Sequence, residues 1–158
     1  MLVAGEIDAL IYPEVPEAVR RGDPRVARIF PDPRAAEIDW FSRTGFFPIM
    51  HTVLIRRSIA EAHPWIPREL LTAFRQSKDR AFAAMADPRR VSLAWLSEAM
   101  DEQRRVLGQD PWSYDFESNR TALETVIRWS HEQGMIARRF PAEELFAAAT
   151  VVDPPSYV

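Results

Sequence analysis

The sequence contains no cysteine, which excludes disulfides and thiolate metal sites and fits a reducing compartment. No apolar run approaches the roughly 18 residues of a membrane span. The start, Met1-Leu2-Val3-Ala4-Gly5-Glu6, lacks the basic region and long apolar core of a secretory signal, so a cytoplasmic location is the default. An excess of positive charge is also missing. The net charge of -3 gives no reason to expect nucleic acid or an anionic membrane as partner. Glycine is scarce, 5 residues against 13 prolines, which points to helix starts and loop corners set by proline. Phosphate loops, nucleophile elbows and metal-ligand spacings are absent. The three histidines, His51, His63 and His131, form no i,i+4 pair, and no metal site is assigned.

What is present is an ordinary globular composition, 47% hydrophobic and 27% charged. At 158 residues the chain is expected to form one domain that buries roughly two thirds of its unfolded surface. Its basic residues come largely as Arg-Arg pairs interleaved with acids, a pattern of solvated helix ends. Two stretches have strand character. Gly5–Tyr12 clusters Ile7, Leu10 and Ile11, and Val53-Leu54-Ile55 is a continuous apolar run of the kind buried on both faces of a sheet. Two strands alone cannot make such a sheet. A core-type strand so close to the first residue also points to something missing upstream.

Between these strands, Pro13, Pro16, Pro24, Pro31 and Pro33 allow only short helical turns, Glu17–Arg21 and Arg25–Ile29, and mark a connector. Ala35–Ser42 can form a helix. Ser58 and Glu61 form a capping-box pattern for a helix cut at Pro64. Pro67 opens a long helix to Ala86 whose buried stripe is Leu70, Leu71, Phe74, Ala81, Phe82 and Met85. A helix over Ser92–Leu107 turns Leu93, Leu96, Met100 and Leu107 inward and stops at Gly108. The next is capped by Ser118 or Asn119, buries Leu123, Val126, Ile127 and Trp129, and ends at Gly134. Pro141 starts a last helix, Ala142–Ala149, and the Pro-Pro tail is expected to fray.

Several polar residues stand where chemistry is feasible. His51, at the mouth of the second strand near Arg43 and Thr44, has the intrinsic pKa of a general acid or base; the plainer alternative is hydrogen bonding to local backbone. Asn119 and Arg120 open a helix, where free N–H groups favour carboxylates. The alternative there is a capping Asn and an Arg paired with Glu117 or Glu124. Trp112 and Tyr114 have the shape to line a flat aromatic pocket, or to pin their own loop to the core. His63 is expected to pack or cap a helix end, and His131 to complement a helix dipole.

Taken together, the motifs carry a resemblance. Gly5-Glu6-Ile7-Asp8-Ala9-Leu10-Ile11, Arg43-Thr44-Gly45, Phe47-Pro48-Ile49-Met50-His51 and His63-Pro64-Trp65 occur in order. They are followed by Gly108–Tyr114, Asn119–Glu124, His131-Glu132-Gln133-Gly134 and Glu143–Ala147. This order resembles the C-terminal half of the 4,5-dihydroxyphthalate decarboxylase family, which has a type II periplasmic-binding-protein-like fold. The sequence departs at Asp115-Phe116, where relatives tend to have a glycine. The resemblance implies a helix-rich, partial α/β fold. Residues 1–15 would be the terminal strand of one lobe, 16–45 a proline-rich connector, and 46–158 the C-terminal part of the other lobe.

It further implies non-oxidative decarboxylation of a hydroxylated aromatic carboxylate. His51 and Tyr114 would be catalytic, while Arg43, Thr44, Trp112, Asn119 and Arg120 would bind substrate. No organic cofactor is identifiable; a metal stays open because its ligands could lie in the absent half. Partners would be the small aromatic acid, and either the missing N-terminal half or further copies of the chain. Two rival expectations remain, a solute-binding module without catalysis and a truncated product without activity.

Overall fold

A computed structural model describes residues 1–152. The chain divides into two compact units, Met1–Arg43 and Thr44–Val158. The first holds helix α1 (Glu17–Arg20) and most of helix α2 (Pro33–Thr44). α2 starts where the sequence chemistry directs it. The Asp32 carboxylate accepts from the Ala35 N–H at 3.0 Å, and Pro33 occupies the first helical position, where no N–H is needed. The helical turn expected over Arg25–Ile29 does not form. The Arg25 side chain instead doubles back onto Asp23, with contacts of 2.9 and 2.6 Å. The side-chain hydrogen bond from Arg25 is the main cause holding the Asp23 carboxyl down at about 2.

The second unit contains α3 (Arg57–Ala62), α4 (Ile66–Ala86), α5 (Leu96–Leu107), α6 (Phe116–Glu132), a 3-10 turn (Ala142–Leu145) and α7 (Ala148–Val151). α4 packs on α5 and α7, while α6 packs on the 3-10 turn and α7. The core is small and sits on α6. Phe116, Leu123 and Ile127 meet Ala142, with Ile136, Phe140, Phe146 and Val151 around them. Phe116 and Phe146 meet edge to face at 5.6 Å between centroids, an arrangement that suits the ring quadrupoles.

The two expected strands are corrected. Among the described residues there is no strand at either Gly5–Tyr12 or Val53–Ile55. A strand satisfies its backbone only through neighbours, and residues 48–55 make no backbone–backbone hydrogen bond. Leu54 is 91% exposed and Ile11 99%. Apolar character thus marks these segments without a sheet to receive them.

Helix boundaries shift for local reasons. α3 begins at Arg57, so Ser58 lies inside the helix and makes no cap. α5 begins at Leu96, after a turn in which the Leu93 N–H bonds to the Val91 carbonyl, and this leaves Leu93 exposed. α6 is capped by Asp115, neither Ser118 nor Asn119. The Asp115 backbone is extended, and its carboxylate accepts from the Ser118 N–H at 2.7 Å. On α6, Leu123 and Ile127 are buried as expected, but Val126 and Trp129 are exposed. The last helix breaks into the 3-10 turn and α7, because Phe146 adopts an extended conformation between them. The stops at Gly108 and Gly134 form as expected, with φ of 83° and 73°, a region that glycine enters without strain. The Pro-Pro tail lies outside the described residues.

Candidate functional site

The long helix α4 places Phe74, Lys78 and Phe82 at i, i+4 and i+8, with Ala81 and Met85 beside them, all on one face. The sequence pattern marked this stripe as core. Phe74 and Leu70 are in fact partly open to solvent, and the stripe forms one wall of a cleft of about 410 Å³. Met100 and Gln103 of α5 line it as well, and Trp112 and Tyr114 close it from the loop between α5 and α6. The volume falls at the low end of the roughly 300–1,000 Å³ typical of small-molecule sites.

That loop is fixed at both ends. Asn119 donates from Nδ2 to the carbonyls of Ser113 and Asp115, each at 2.8 Å, so its amide holds the loop against the start of α6. Asp115 accepts from the Ser113 hydroxyl as well as from the Ser118 N–H. Burial is the largest influence on the Asp115 carboxyl and works against its charge. The hydrogen bonds from Ser113 and Ser118 together outweigh it, and the pKa is lowered. The departure at Asp115-Phe116 is thus built into the structure, with Asp115 as cap and Phe116 as core anchor.

Tyr114 meets Phe74 edge to face at 6.4 Å between centroids, and Trp112 meets Phe47 at 4.7 Å. The second contact ties the Phe47-Pro48-Ile49-Met50-His51 motif to the aromatic wall of the cleft. His51 itself is exposed and is not among the lining residues. Thr44 closes α2. Arg43 lies in the first unit, paired with Asp39 at 2.9 Å. Arg120 is engaged by carboxylates of its own chain: Glu117 at 2.7 Å, Glu143 at 2.5 Å and Glu124 at 3.6 Å. It also lies over the Phe116 ring at 4.8 Å. The hydrogen bonds it donates to Glu117 first and Glu143 second raise its pKa further. Of the residues singled out from the sequence, Trp112 and Tyr114 share the cleft and Asn119 braces it.

Sequence reasoning missed Lys78. It is the sole lysine among the 20 Lys and Arg residues, and it stands between two phenylalanines on an apolar stripe. That combination was the available signal. Its side chain is only 10% exposed. The ammonium donates to Asp110 at 2.5 Å and to the Trp112 carbonyl at 3.1 Å, and lies 4.8 Å from the Tyr114 ring centroid. Among the described residues no group of three or more His, Asp or Glu is placed to hold a metal. No described helix is long and apolar enough to cross a membrane.

Fold and cleft define a class, a helical unit whose described residues form an aromatic-walled, lysine-bearing cleft of small-molecule size. Comparison with known proteins supplies the family. The chain is 38% identical over 153 residues to a 4,5-dihydroxyphthalate decarboxylase of Comamonas testosteroni, covering 96% of this chain and 46% of that protein. A 46-residue stretch, 29% of the chain, is 42% identical to a 4,5-dihydroxyphthalate decarboxylase of Pseudomonas putida and covers 18% of it. No family profile matches the chain. The chain is thus similar to 4,5-dihydroxyphthalate decarboxylases, and it spans about half the length of the Comamonas relative. The resemblance drawn from the motifs, to the C-terminal half of that family, is borne out.

Proposed function

We propose that this chain is the part of a 4,5-dihydroxyphthalate decarboxylase-like protein that helps bind a hydroxylated aromatic carboxylate and remove one carboxyl group as CO2. The observation that carries the proposal is the 38% identity extending over 96% of the chain. The reaction breaks one ring-carbon-to-carboxyl bond and places a proton on that carbon, with a ring hydroxyl supplying electron density. It requires cations on the carboxylates and one proton donor.

In this proposal His51 is the acid/base group, and Tyr114 assists from the cleft wall. Trp112 stacks on the ring, while Arg43 and Thr44 contribute through the motif that contains them. Asn119 supports the loop. Arg120 can reach a substrate only by releasing Glu117 or Glu143, so its direct part is conditional on that exchange. The partial α/β, type II periplasmic-binding-protein-like fold belongs to the same proposal. Its support is the pair of apolar segments that have strand composition but no pairing partner. Pairing with a missing N-terminal half or with further copies of the chain, and a cytoplasmic working place, are parts of the same proposal.

The test is CO2 release from 4,5-dihydroxyphthalate by the purified chain, repeated with His51→Ala at unchanged circular dichroism. Release that disappears in the variant is expected. Saturable binding of the acid without CO2 would instead identify a solute-binding module, and neither result would leave the chain inactive on its own.

A further inference from the structure

We propose that Lys78 is the carboxylate anchor of the cleft and that Asp110 is its displaceable internal counter-ion, occupying the position a ligand's carboxylate takes. The inference rests on the reading of the cleft as an aromatic-acid site, and it gives a role to Lys78, which lies outside the family motifs, and to Asp110, which lies within Gly108–Tyr114. A lysine side chain that is nine-tenths buried holds its ammonium close to apolar surface, a costly position unless the charge serves a purpose or is fully paired. Lys78 has three N–H donors, and two acceptors from its own chain engage it, Asp110 and the Trp112 carbonyl. The neighbouring surface is an aromatic face, that of Tyr114.

The two partners differ in kind. The Trp112 carbonyl belongs to a loop pinned by Asn119 and Asp115, so that bond is fixed by the fold. Asp110 lies at the loop's solvent side, with its side chain 45% exposed, and can turn into water when another carboxylate arrives. The walls suit a flat ring. Phe74, Phe82, Trp112 and Tyr114 line the cleft together with Lys78, and Gln103 adds an amide for a second polar substituent. A single-ring aromatic acid would therefore place its ring among the aromatics and its carboxylate on Lys78. Binding would exchange one charge-assisted hydrogen bond for another while burying the ring.

The alternative is that Lys78 and Asp110 merely clamp the loop. The two roles give opposite signs in one experiment. Isothermal titration of the chain with phthalate, and with its neutral dimethyl ester, is carried out on wild type, Lys78→Met and Asp110→Asn. As an anchor, Lys78→Met weakens phthalate binding by about tenfold or more and leaves the ester within about twofold. Asp110→Asn tightens phthalate, because a competing carboxylate has been removed.

Weakening of both probes by both variants would overturn the proposal in favour of a clamp, as would wild type that fails to bind phthalate. If Lys78→Met fails to fold, the sign of the Asp110→Asn effect decides alone. Failure here is separable from failure of the proposed reaction. CO2 release that survives Lys78→Met sinks the anchor and leaves the reaction standing. Lys78-dependent phthalate binding without CO2 release does the reverse.

Discussion

Helix α6 and the segment 48–55 are both rich in apolar residues, yet one is the centre of the core and the other lies open. α6 carries Phe116, Leu123 and Ile127 at the spacing of one helical face, and all three are buried. Its backbone is satisfied internally, and its first turn is closed by the Asp115 carboxylate. Residues 48–55 include Val53 and Leu54, which are 62% and 91% exposed, and they make no backbone–backbone hydrogen bond. The difference follows from where each kind of element finds its partners. A helix supplies its own hydrogen bonds and needs only a neighbour for one face, whereas a strand needs another chain segment for every bond. An apolar run such as Val53-Leu54-Ile55 therefore makes no strand without a neighbouring segment, while α6 forms from its own residues.

Amide hydrogen exchange should show the contrast most strongly. The central amides of α6 are expected to exchange at or near the global unfolding limit, while those of residues 49–55 exchange at nearly unprotected rates. Protection of Leu54 comparable to that of Leu123 would break the comparison. Next in size, Leu123→Ala should destabilise the fold by about 2–5 kcal/mol in urea denaturation, because it leaves a cavity at a site that is 5% exposed.

Asp115→Ala should cost about 0.5–2 kcal/mol through loss of the α6 cap. This contribution has a pH signature. The folded pKa of Asp115 is lowered, so its stabilisation is complete well above the ordinary value of 3.8 and is lost as pH falls through the folded value. Wild type and Asp115→Ala should accordingly converge in stability on acidification, and a difference that persists below that range would remove Asp115 as the cause. The smallest effect belongs to the open segment. Leu54→Ala should change stability by no more than about 0.5 kcal/mol, since there is little burial to lose.

Much of the helical layout was legible in the sequence. Pro33 and Pro67 sit near the starts of α2 and α4, and Gly108 and Gly134 stop α5 and α6, because proline and glycine act through local backbone geometry. Caps were less legible. Ser58, Ser118 and Asn119 have suitable side chains, but a cap also requires an extended backbone at the right residue, which Asp115 has. The cleft was half visible. Trp112 and Tyr114 stood out as an aromatic pair, whereas Phe74, Phe82 and Met85 carried the same periodicity that marks a buried stripe. Only the position of α5 and the loop after it decides whether such a stripe faces a core or an opening.

Lys78 shows the same division. The sequence determined that a lone lysine would stand among phenylalanines on one face of a long helix, because helical spacing depends on the chain alone. The tertiary structure decided that this lysine is nine-tenths buried beside Asp110 and Tyr114, residues 32 and 36 positions away. It also decided that the apolar run Val53-Leu54-Ile55 forms no strand, since sheet formation depends on a partner that no local pattern can supply.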